Sequence, residues 1–303
     1  MRIVSLLPSA TEIVCALGLR DHLVGVTHEC DHPPAVRGLP AVTRTFIPAG
    51  ASSAEVDRLV RERMTTERAL YALDRPALEQ LRPDLIVTQA LCDVCAVAES
   101  EVRAAACALP GGPRVVNLTP QTLEGVYDAV REVATAAGVG ERAEGVVANL
   151  RSRVEAVAAR SAKLPRRPRV ALLEWLDPPF SCGHWTPDLV RLAGGDECLG
   201  RAGEPSRTLR WADVAAAEPE VVVVACCGYD VGRAMADVPT LQKAPGFADT
   251  PAARAGRVYV TDGNAYFNRP GPRLVDGLEI LAHAVAPDAH PLPAGLAAAV
   301  RVG

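Results

Sequence analysis

Arg2-Ile3-Val4-Ser5-Leu6-Leu7-Pro8-Ser9-Ala10-Thr11-Glu12-Ile13-Val14 decides the fold, because the apolar period changes in the middle of it. Up to Leu7 the residues form the short continuous apolar run of a buried strand; beyond Pro8, Ile13, Val14, Ala16 and Leu17 fall at helical spacing, and Gly18 supplies the stop. Ser9 is the expected N-cap, with Glu12 placed to complete a capping box. The same order recurs at Arg169–Gly195. There the strand Val170-Ala171-Leu172-Leu173 is followed by a longer loop from Glu174 to Trp185, Thr186 as expected cap, Pro187 at the first helical position and Gly194-Gly195 at the end.

Two further correspondences extend the repeat. Pro83-Asp84 precedes Leu85-Ile86-Val87, as Pro219-Glu220 precedes Val221-Val222-Val223-Val224; Arg114-Val115-Val116-Asn117 leads to a helical pattern over Thr122–Ala137, as Arg257-Val258-Tyr259-Val260 leads to one over Arg273–Val285. The expected fold class is therefore α/β: two similar Rossmann-like lobes with mostly parallel sheets, residues 1–139 and 165–303. Residues 140–164 carry Val146, Val147, Leu150, Val154 and Val157 at helical spacing and predict one long connecting helix. Two lobes imply a cleft, and clefts between domains are where small ligands bind. In each unit the helix N-terminus is expected to face that cleft at the carboxyl ends of the strands.

With 303 residues, 49% hydrophobic and 22% charged, the chain can bury two cores and is not disordered. A net charge of -4 leaves no electrostatic footprint for nucleic acid. No apolar run reaches the ~18 residues that span a bilayer. The sequence opens directly on the first strand and has nine cysteines, an odd number, which as written points to a reducing cytoplasm; a removed export signal would make the protein extracytoplasmic.

The order and spacing of Ser5-Leu6-Leu7-Pro8-Ser9-Ala10-Thr11-Glu12, Gly25-Val26 with Asp31-His32-Pro33, Asp177-Pro178-Pro179-Phe180, Trp211 and Tyr266-Phe267-Asn268-Arg269-Pro270-Gly271-Pro272-Arg273 resemble the helical-backbone substrate-binding proteins of ABC importers. Within that class the resemblance is to the cobalamin-binding proteins, and it runs from Arg2 to about Val285. It implies a cobalamin-like corrinoid or related metal chelate as ligand and an ABC permease as partner; an intracellular carrier that presents the ligand to another protein is the reading suggested by a chain that opens without an export signal. It also implies ligand-facing positions. In the second lobe these are Phe180, Trp211 and the Tyr266, Phe267, Asn268, Arg269 loop; the residues themselves add Tyr229 after an apolar strand, and His184, whose neutral imidazole is a candidate axial ligand for cobalt or iron, with Trp185 beside it. In the first lobe, where exported cobalamin receptors offer bulky aromatics, the sequence departs from the pattern: the candidates are Pro8, Ser9, Glu29, Phe46 and Gln89, with one aromatic. Aromatic faces and a few polar groups suit a flat macrocycle. Each position also has a bland account: packing for the aromatics, a lobe seal for Trp185, a hydrogen bond near a helix start for His184, and carbonyl bracing for Arg269.

Cys92 and Cys95 form a C-x-x-C, and His28 and Cys30 could supply two more ligands for zinc or iron if the fold brings the loops together. The same four residues, with Glu29 and Asp31, support an alternative function as a metal- or thiol-dependent enzyme. There is no G-x-S-x-G elbow, Gly-rich phosphate loop or dinucleotide fingerprint.

Overall fold

Ile3, Val4 and Ser5 are fully enclosed, as the apolar run requires, and the strand they form lies at the centre of the first sheet. The computed structural model describes residues 1–48, 50–66, 70–89, 99–109 and 111–302, which divide into two compact units, Met1–Pro120 with Glu124–Asn149, and Gln121–Leu123 with Leu150–Gly303.

The first unit contains, in chain order, β1 (Ile3–Ser5), α1 (Pro8–Ala16), β2 (Leu23–Gly25), β3 (Thr43–Thr45), α2 (Ser53–Thr66), β4 (Tyr71–Leu73), α3 (Arg75–Leu81), β5 (Leu85–Gln89), α4 (Glu99–Ala108), β6 (Arg114–Leu118) and most of α5 (Leu123–Ala136). Its main sheet is parallel throughout, in the order β2-β1-β5-β6, with Ile3 opposite Leu85 and Ile86 opposite Val115. β3 and β4 make a separate antiparallel ribbon. Val4, Leu6, Val42, Leu78, Ile86 and Val102 form one of its cores. Loss of water contact by such side chains is the main stabilising term.

The capping expectation for α1 is corrected. Leu7, in extended conformation, is the N-cap, with no side-chain cap bond, Pro8 occupies the first turn and Ser9 is buried inside the helix rather than at its cap. Pro8 accounts for the shift: its ring fixes φ and it has no N–H to lose, so the helix starts at proline itself.

α6 (Gly140–Ser161) is the long helix predicted over residues 140–164, and the division between the two units falls within it. The second unit then contains β7 (Arg169–Leu176), β8 (Pro179–Ser181), α7 (Thr186–Leu192), β9 (Asp196–Glu197), α8 (Trp211–Ala216), β10 (Val221–Val224), α9 (Val231–Gln242), α10 (Pro251–Arg254), β11 (Val258–Val260), α11 (Gly263–Tyr266), α12 (Leu274–Val285) and β12 (Val300–Arg301). β9, β10 and β11 run parallel to β7, and the sheet is edged by antiparallel β8 and β12.

Two details differ from expectation. Glu174 to Trp185 is not an irregular loop: β7 continues to Leu176 and turns back as β8, with Trp175 opposite Phe180. Turn-forming Asp177-Pro178 lets the strand fold back onto itself beyond the apolar run Val170–Leu173. Thr186 is the first helical residue of α7, after Trp185 as N-cap, and Pro187 follows it.

Arg153 of α6 meets Asp276 at 2.5 Å and both oxygens of Glu279 at 2.5 and 3.1 Å, on α12. The pair is half-buried, so it is expected to contribute between the small value of surface pairs and the several kcal/mol of enclosed ones. Arg153→Ala should lower the unfolding free energy by about 2 kcal/mol in urea titrations. Adding Glu279→Gln should recover part of it, since the carboxylate no longer needs a cation.

Candidate functional site

In the second unit, parallel strands β7, β10 and β11 direct their carboxyl ends, and the loops that follow them, to one edge of the sheet. That edge is where α/β sheets bind ligands. The loops are 177–185, 225–230 and 261–273, and they carry the expected second-lobe residues except Trp211, which opens α8.

His184 sits between β8 and α7 with φ +51°, a left-handed conformation. Backbone bonds hold it there: its N–H donates to the Glu204 carbonyl at 2.7 Å, and its carbonyl accepts from Gly203 N–H at 2.9 Å. Burial pushes the imidazole pKa below its usual value, so at neutral pH the ring is the uncharged, ligating form. Trp185 lies 5.5 Å from the His184 ring, is almost fully enclosed, and donates its indole N–H to the Phe267 carbonyl at 2.8 Å. Of its two accounts, the seal describes these contacts.

The Tyr266–Arg269 loop divides by residue. Phe267 has no exposed surface and is a core side chain. That corrects its placement among ligand-facing positions: the ring is enclosed in the second unit, where its transfer from water stabilises the fold. Asn268 donates from Nδ2 to the carbonyls of Ala225 (3.1 Å) and Gly263 (2.9 Å), and buried Arg269 donates to Asn264 Oδ1 at 2.9 Å. Both brace the loop. Gly263 is required beneath them, because a Cβ there would lie 2.3 Å from the Cys226 carbonyl oxygen. Tyr266 remains half-buried, with the Arg273 guanidinium 5.8 Å from its ring.

Phe180 and Trp211 are also half-buried. Tyr229 packs against Trp175 at 4.8 Å, while Arg233 stacks 4.5 Å over its ring and donates to its hydroxyl at 3.1 Å. Trp175 is the aromatic that sequence reasoning missed. The signal available is its period: Ala171, Leu173 and Trp175 continue one face of β7 beyond the apolar run Val170–Leu173.

In the first unit Pro8 and Ser9 are buried in the first turn of α1. Phe46 is exposed, with Arg63 4.1 Å over its ring. Gln89 ends β5, buried, with its Oε1 unpartnered among the described residues. The Tyr71 hydroxyl donates to Glu29 at 2.9 Å.

His28 and Cys30 have different partners. His28 Nδ1 lies 2.8 Å from the Thr43 hydroxyl, whereas the buried Cys30 thiol lies 3.1 Å from Thr11 Oγ1 and 3.3 Å from Thr27 Oγ1. Cys92 and Cys95 fall outside the described residues. Among the described residues no three His, Cys, Asp or Glu side chains converge as metal ligands, and no helix is long and apolar enough to cross a membrane.

A family model described as periplasmic binding protein matches residues 3–265. An ABC transporter substrate-binding lipoprotein, YvrC of Bacillus subtilis, is 24% identical over 95% of this chain and 80% of its own length. The vitamin B12-binding protein of Vibrio cholerae is 22% identical over 92% of this chain and 86% of its own. The crystal structure of a periplasmic heme-binding protein from Pseudomonas aeruginosa superposes with a TM-score of 0.75, at 26% identity, over 100% of this chain and 99% of that one. The chain thus belongs to the periplasmic binding protein family, and it is a substrate-binding protein of the helical-backbone type.

Proposed function

We propose that this protein captures a tetrapyrrole metal chelate, corrin or porphyrin, on the outer side of the cytoplasmic membrane and hands it to an ABC permease. The observation that carries the ligand class is His184: an imidazole kept neutral by burial, on a loop fixed by backbone bonds, within 10 residues of Trp175 and near Trp185 in a sheet-edge position suited to ligands. The similarity to a heme-binding and a vitamin B12-binding protein supports the same class. Half-buried Phe180, Trp211 and Tyr266 offer aromatic surface for the macrocycle. Extracytoplasmic action follows the family and its lipoprotein relative; the cytoplasmic expectation rested on the opening residues and the cysteine count alone. The thiol-enzyme alternative gains no support from Cys30, whose buried thiol is engaged with two threonine hydroxyls.

Purified protein titrated with haemin and with aquacobalamin should bind at least one of them one-to-one with a shift of the visible bands. His184→Ala should abolish the shift and weaken binding about tenfold or more, the scale of one lost strong interaction. Binding of both probes with unchanged spectra in the variant would remove His184 as axial ligand. Binding of neither would overturn the ligand class.

A further inference from the structure

The Glu174 carboxyl does something that neither the family match nor the ligand class assigns. Glu174 follows Leu173, the last β7 residue registered against β10. One of its oxygens accepts the Gly183 N–H at 3.2 Å, the other accepts the Ser206 hydroxyl in a short bond, and its main-chain carbonyl accepts the Cys227 N–H at 3.0 Å. A single residue thus joins three segments: the His184 loop, residues 203–207 and the loop after β10.

The first two segments need such a tie. They pack backbone against backbone, since a Cβ on Gly183 would lie 2.3 Å from Ser206 N and 2.7 Å from the Glu204 carbonyl oxygen. His184, next in the chain, is held left-handed by its bonds to residues 203 and 204. A non-glycine residue in that region is strained by roughly 1–2 kcal/mol, so it persists only where its surroundings fix it. The Glu174 carboxyl bonds to one residue on each side of that contact.

We infer that Glu174 is a positioning residue for ligand capture, bracing the 203–207 segment against Gly183 so that His184 is presented in its left-handed conformation. The inference rests on the ligand role proposed for His184. Glu174 touches no ligand in this account and acts through the loop.

Two measurements separate this from general support of the fold. In amide exchange, Glu174→Ala should lower the protection of Gly183 and His184 by about tenfold or more while Val222 to Val224 in β10 keep theirs, the pattern of local rather than global opening. Glu174→Gln should restore protection, because its amide oxygen can accept from Gly183 and its NH2 can donate to Ser206. In haemin and aquacobalamin titrations, Glu174→Ala should weaken binding of whichever probe the wild type takes by about tenfold, and should add nothing in a His184→Ala background, as expected when two residues act as one unit. Unchanged exchange at Gly183 and His184, uniform loss of protection through the second unit, or equal weakening in both backgrounds would each overturn the inference. A wild-type protein that binds neither probe would overturn the ligand half, while exchange still decides the loop half by the same two outcomes.

Discussion

Phe267→Ala should lower the unfolding free energy by about 3–5 kcal/mol, the range for an enclosed phenyl ring whose removal leaves a void. Phe267 has no solvent exposure, and its surroundings cannot close in. Its carbonyl is held by the Trp185 indole at 2.8 Å, and the loop on either side is pinned through Asn268 to Ala225 and through the close approach of Gly263 to Cys226. The cavity should therefore stay largely unfilled. Urea unfolding followed by circular dichroism measures the loss. A change below about 1 kcal/mol would show that the site collapses or that the ring is not part of the core.

The second large effect is on pH dependence. Glu174 is drawn up to about 7, first because the fold removes its carboxyl from water, and further because Glu197 lies near; the bonds from Ser206 and Gly183 offset part of this. Glu197 is raised too, again by burial, against donation from Gly200, Leu199 and Leu172. The Cys182 and Cys226 thiols facing this region are also pushed up by burial, Cys226 beyond the ordinary titration range. A carboxyl with a raised folded-state pKa favours the fold while protonated. Its stabilising contribution is complete below the unfolded value near 4.5 and is lost as pH rises through about 7. Going from pH 4.5 to 8 should cost the second unit at most about 3 kcal/mol through Glu174. Glu174→Gln, which keeps a neutral side chain of the same shape, should flatten that decline. Unfolding free energies measured across the range in both proteins decide it: parallel curves would mean that Glu174 titrates at its usual value in the fold.

What could be read in the chain alone was whatever depends on local order. The alternation of apolar runs with helical spacing gave the strands at Ile3, Leu85, Val170 and Val221, the order of the two units, and the long helix from Gly140. These follow from burial and backbone period, which act over neighbours in sequence. Loop motifs such as Tyr266 to Arg269 lie at the carboxyl-end edge of the sheet, because the topology of parallel strands fixes where their loops emerge.

Which side chain in such a loop turns inward was not written locally. Phe267 and Tyr266 are adjacent aromatics, yet one is enclosed and the other half-buried, and the Phe267 carbonyl is held by Trp185, 82 positions away. Trp175 and Glu174 lay in what read as a loop until β8 paired with β7, and only that hairpin sends one to Tyr229 and the other to Gly183 and Ser206. Cys30 stood beside His28 as a candidate metal ligand, but Thr11 on α1 draws its thiol into the core. In each case the deciding partner is remote in sequence. Period and capping determine the elements, and long-range hydrogen bonds and packing determine which of their side chains are left to meet a ligand.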